Sequence, residues 1–144
     1  MIEQDTVRLL RECDAGIRMG VASIDDVLDS AKNQTLRTAL ENCKEQHQAL
    51  QDEINKELRR FRDEGKEPAA MAKGMSKIKT NVKLAMEESD KTVADLVTDG
   101  CNMGVKSLSK YLNQYQAADE KSKDIAKRLI AQEEQLVRDV RGFL

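Results

Sequence analysis

Residues 64–90 read EGKEPAAMAKGMSKIKTNVKLAMEESD, and the length of this segment decides how the rest of the chain folds. Two long apolar stripes precede it and two follow it. A helix of about 28 residues is roughly 42 Å long at 1.5 Å per residue. A connection of this size, part helix and part extended, spans that length and brings the chain back to the end where it began. Pro68 is well placed to open a short helix within it. The links around residues 31–34 and near residue 118 are too short to do the same. The expectation is an all-α single domain, 1–144: an antiparallel hairpin over about 3–63, a crossover over about 64–88, and a second hairpin over about 89–144.

The stripes carry the helical period. The first is Val7, Leu10, Asp14, Ile17, Val21, Ile24 and Leu28, a heptad row with one acid at its middle. The second is Leu36, Leu40, Cys43, His47, Leu50, Ile54, Leu58 and Phe61, with Asn33 or Thr35 as N-cap and Gly65 as the stop. Its polar member, His47, is the sole histidine of the chain. The third, capped by Ser89 or Asp90 and running to about Gln116, turns Ala94, Thr98, Cys101, Val105, Leu108 and Leu112 inward. The fourth starts near Ser122 with Ala126, Ile130, Glu133, Val137, Val140 and Leu144, and Glu133 is its polar member.

Composition agrees with helices and excludes several function classes. Aromatic residues make up 3% and charged residues 35%, which suits long amphipathic helices and not a β fold. A net charge of −2 describes no general polyanion binder. No run approaches the ~20 apolar residues that cross a bilayer. The start, Met-Ile-Glu-Gln-Asp, leads into no apolar run of a secretory signal. Cys13, Cys43 and Cys101 are odd in number and widely spaced, the pattern of a reducing compartment, so a cytoplasmic protein is expected.

A faint internal repeat links the hairpins. Met19-Gly20-Val21-Ala22-Ser23-Ile24 echoes Met103-Gly104-Val105-Lys106-Ser107-Leu108, with Gly16 and Gly100 at the same offset. Leu40, Glu45 and Gln46 match Leu129, Glu134 and Gln135. Each mid-helix glycine costs about 1 kcal/mol of helix propensity. The expected compensation is close backbone approach between the first and third helices; the alternative is a small-residue patch that binds a partner.

Two hairpins with a crossover and polar residues on the apolar stripes resemble the ferritin-like superfamily, which includes rubrerythrin and bacterioferritin. The resemblance implies a glutamate on each of helices 1 and 3 and a Glu-x-x-His on each of helices 2 and 4, converging on two iron or manganese ions. The pattern here is damaged. Helix 2 reads Lys44-Glu45-Gln46-His47, with lysine where glutamate belongs, and helix 4 reads Glu133-Glu134-Gln135-Leu136, with leucine where histidine belongs. Helices 1 and 3 offer Glu12 or Asp14, and Asp99.

The residues leave three readings open. Counting outward from the two loops puts Asp14 near the level of His47 and Asp99 near that of Glu133, so these four are the candidate ligands of a single iron or manganese ion handling oxygen or peroxide. The leading expectation is instead a decayed metal site without cofactor: a non-catalytic bundle acting on an unknown protein partner, with Asp14 hydrogen-bonded to His47 and Lys44 either snorkelling or paired to an acid; the resemblance further implies a homodimer. Beside these three, Cys43 and His47, four apart on one helical face, form a lesser soft-metal candidate with Cys101 as a candidate third ligand. In the third reading Lys73, Lys77, Lys79 and Lys83 of the crossover meet an anionic surface. Nucleic acid is not expected, because residues 64–90 hold no aromatic ring to stack on a base.

Overall fold

The computed structural model describes residues 2–61 and 89–144. The expected crossover, with its four lysines, lies outside the described residues. Among the described residues there are four long α-helices and no strand: α1 (Ile2–Leu28), α2 (Gln34–Arg60), α3 (Asp90–Gln114) and α4 (Glu120–Val140), followed by a 3-10 turn at Arg141–Phe143.

Local chemistry sets the helix ends. Glu3 and Asp5 place negative charge on the first turn of α1, where the helix dipole favours it. At its far end, Arg37 Nη1 donates to the carbonyls of Leu28 at 2.7 Å and Ala31 at 3.1 Å, satisfying acceptors that the helix leaves open. Asn33 Oδ1 caps α2 by accepting from the Thr35 and Leu36 amides, Ser89 Oγ caps α3 through Thr92, and Asp119 Oδ1 caps α4 through Ser122. α2 ends at Arg60, earlier than the expected stop at Gly65, because the Phe61 amide tightens onto the Leu58 carbonyl at 3.0 Å.

Hydrogen bonds between the ends fix the helix directions. The Lys32 and Asn33 amides donate to the Asp90 carboxylate, so α3 begins beside the α1–α2 turn. The Ala117 amide donates to Asp5 at 3.1 Å and the Asp119 amide to Thr6 Oγ1 at 2.8 Å, so α4 begins beside the start of α1. α1 and α4 therefore run one way, and α2 and α3 the other. Around the bundle α1 packs on α2 and α3, and α4 on the same two helices. The α2–α4 seam is tied on its outer side by Arg128, which holds Glu53 through two bonds of 2.9 Å, and by Lys121, which reaches Glu57 at 2.8 Å.

The interior is divided. One apolar cluster, with Leu10, Ile17, Leu50, Leu108 and Leu129, fills the half near the start of α1. The other, with Ile24, Cys43, Cys101 and Leu136, fills the half near the α1–α2 turn. In every helix the passage between clusters is a seven-residue step: Ile17 to Ile24, Cys43 to Leu50, Cys101 to Leu108, Leu129 to Leu136. Within those steps stand Gly20, His47, Gly104 and Glu133.

Stripe orientation is as expected in α2, where Leu36 through Leu58 are buried and Phe61 is half-buried. In α3 the seam is rotated: Val93 and Val97 are buried while Thr98, Val105 and Leu112 are only half-buried. In α4 Leu129 and Leu136 take the inner row in place of Ile130 and Val137, and Leu144 is exposed.

Candidate functional site at the bundle centre

The mid-plane between the two clusters is polar because two buried side chains with opposite charge preferences meet there. His47 comes from α2 and Glu133 from α4; the residues are 1% and 7% exposed. His47 Nε2 lies 3.6 Å from Glu133 Oε1. On its other side His47 Nδ1 donates to Gln132 Oε1 at 2.8 Å, with Cys43 Sγ 3.7 Å away. Each ring nitrogen thus faces an acceptor, an arrangement that favours the doubly protonated imidazolium. Burial pulls the imidazolium pKa down, but the contacts with Cys43 and Glu133 outweigh it and raise it to about 9.

The glycines make room for this pair. A Cβ on Gly20 would fall 3.3 Å from His47 Cδ2, and one on Gly104 would fall 2.8 Å from the carboxyl carbon of Glu133. At Gly16 and Gly100 an added Cβ would meet nothing within 4 Å. The expectation of close backbone approach between the first and third helices is corrected accordingly. Gly20 and Gly104 admit side chains from α2 and α4, while Gly16 and Gly100 border open space.

That space is a cavity of about 290 Å³ between α1 and α3. All four glycines line it, with His47, Glu133, Cys43 and Cys101, and with Met19, Leu96, Met103 and Tyr111 among the larger side chains. Glu12 and Asp99 add carboxylates to the lining, and neither lysine nor arginine contributes among the described residues. Glu133 Oε2 is buried and has no hydrogen-bond partner among the described residues.

Of the four candidate ligands, His47 and Glu133 are brought together; Asp14 and Asp99 do not join them. Asp14, fully buried, accepts from Gln51 Nε2 at 3.3 Å and pairs with Arg18 Nε at 3.1 Å. The expected Asp14–His47 hydrogen bond is thus replaced. The register explains why: His47 stands opposite Gly20, six residues from Asp14 and about 9 Å along the axis. Asp99 is exposed, five residues from Gly104, the position that Glu133 faces. Lys44 does pair with an acid, reaching Asp25 at 2.6 Å. No group of three or more histidine, cysteine or acidic residues among the described residues is arranged to hold a metal ion.

The three cysteines are buried, and at two of them the surroundings disfavour the thiolate. Burial, with the nearby acids Glu12 and Asp14, pushes the Cys13 thiol up to about 12, and burial, with Glu133 and Cys43, also raises Cys101.

Gln132 and Gln51, the partners of His47 and Asp14, had no signal in the sequence. The glycine–charge complementarity had one: a glycine three residues into the seven-residue step on α1 and α3, and His47 or Glu133 four residues into it on α2 and α4. No described helix is long and apolar enough to cross a membrane. Compared with protein-family models, curated proteins and solved structures, the chain has no match.

Proposed function

We propose that this chain is a non-catalytic bundle of ferritin-like architecture, in which a buried histidine–glutamate charge pair occupies the place of a di-metal centre. The observation that carries the reading is the meeting of His47 and Glu133 between the two apolar clusters. In the ferritin-like pattern each of these helices would supply both a glutamate and a histidine. Here one supplies the cation and the other the anion, so the ring nitrogen that would bind metal faces a carboxylate instead. The helix directions support the same architecture, because α2 ends at one end of the bundle and α3 begins at the other.

A charge pair at this depth sets the register of the bundle and offers no redox chemistry. The protein then works as a binding scaffold, and any partner or second copy engages its outer faces.

The test is metal content per chain, by elemental analysis of untagged protein purified without chelator from cells supplied with iron and manganese. The expected ratio is near zero and stays there after reconstitution with iron, manganese or zinc. A ratio near one that His47→Ala abolishes overturns the proposal in favour of an iron or manganese protein.

A further inference from the structure

The charge pair leaves two features unused, the cavity between α1 and α3 and the second oxygen of Glu133. From these we infer a binding site for a small organic amine, its ammonium group on Glu133 and its apolar body between α1 and α3. The inference does not depend on the metal history of the site.

Size comes first. At about 290 Å³ the cavity is roughly twice the ~150 Å³ of an apolar cavity that accepts benzene, and it stands near the lower edge of ordinary ligand pockets. Its walls hold both kinds of group that such sites use. Met19, Leu96, Met103 and Leu108 offer apolar surface, and one buried carboxylate offers orientation. The space exists because Gly16 and Gly100 carry no side chain, a loss of helix propensity for which no packing contact among the described residues compensates.

Charge then selects the head group. Three carboxylates, Glu12, Asp99 and Glu133, line the cavity against one imidazole, with no lysine or arginine among the described residues. The imidazole is committed on both nitrogens, to Gln132 and to Glu133, so it offers no donor to an anionic ligand. Glu133 Oε2 is the group left over: an acceptor on a side chain 9% exposed, lying against Gly104 at the cavity wall, with no hydrogen-bond partner among the described residues. A buried carboxylate oxygen without a donor is costly. The terminal carboxylate torsion is broad, so a small rotation turns this oxygen to an ammonium in the cavity while its neighbour keeps His47. Two or three N–H groups on the ligand would satisfy it, and the bond is charge-assisted.

The experiment is isothermal titration calorimetry of the full chain at pH 7.5 with three probes of one shape: 2-phenylethylamine, 2-phenylethanol and phenylacetate. The expected order places the amine at least about tenfold tighter than the alcohol, with phenylacetate not bound. Gly100→Leu fills the cavity from a position where a side chain meets nothing, and should abolish amine binding without loss of fold. Glu133→Gln should cut amine affinity about tenfold while leaving the alcohol unchanged, its folded state checked by circular dichroism. Absence of amine binding overturns the inference. So does equal binding of all three probes, or amine binding that survives Gly100→Leu.

Discussion

Raising the pH through the titration of His47 should destabilise the bundle, by an amount that follows from the site. Burial pulls the ring's pKa down, but its contacts with Cys43 and Glu133 outweigh that and hold it at about 9 against an ordinary value of 6.5. A group whose folded pKa is raised stabilises the folded state fully below its unfolded pKa, and that contribution is lost as pH climbs through the folded value. The window is therefore pH 6.5 to about 9. The slope inside it approaches 1.4 kcal/mol per pH unit, and the total is on the order of 3 kcal/mol. The assay is urea denaturation followed by far-ultraviolet circular dichroism at half-unit steps from pH 6 to 9.5, on the parent chain and on His47→Gln. The parent should lose stability across the window, while the variant, lower at pH 6.5, should be nearly flat. A parent whose stability is unchanged from pH 6.5 to 9, or a variant with the same slope, would refute the reasoning that the imidazolium is held by this pair.

Other outcomes follow from the same geometry. Glu133→Leu alone strands the His47 charge and should cost about 3–5 kcal/mol, whereas His47→Leu with Glu133→Leu should recover most of that loss, as a double-mutant cycle in urea measures. Gly100→Ala should stabilise by about 0.5–1 kcal/mol, because its Cβ enters open space; Gly104→Ala should show no such gain, because its Cβ displaces the Glu133 carboxylate. Asp90→Ala removes the acceptor for the Lys32 and Asn33 amides and should cost about 1–2 kcal/mol in thermal or urea unfolding. Cys13 and Cys101, buried with raised pKa values, should react with a thiol reagent at pH 8 far more slowly in the native chain than in urea.

α2 was the most legible helix in the sequence, since Leu36, Leu40, Cys43, His47, Leu50, Ile54 and Leu58 form one apolar row on an otherwise polar helix. α3 was less so. Ala94, Val97, Gly100, Cys101 and Gly104 put small or apolar residues on more than one face, and the period alone does not select among them. In α4 two adjacent rows are apolar, Ile130 with Val137 and Leu129 with Leu136, so orientation is settled by packing. The site was half legible. A histidine and a glutamate at the centre of apolar stripes stood out, because burying either needs a partner. Their pairing with each other was not visible, since it depends on the register between hairpins, and a register counted from loop centres does not fix it. The six residues between Asp14 and Gly20, about 9 Å along the axis, separate His47 from Asp14 and give it to Gly20.

The most direct test of the charge pair is a long-range proton–nitrogen spectrum of the imidazole, unambiguous because His47 is the sole histidine. It should be recorded at pH 7.5 before and after addition of manganese. The expected result is an imidazolium with both nitrogens protonated and a signal that manganese leaves unchanged. A neutral ring with one bare nitrogen, or a signal that manganese broadens away, would contradict the account that a carboxylate stands where a metal would bind.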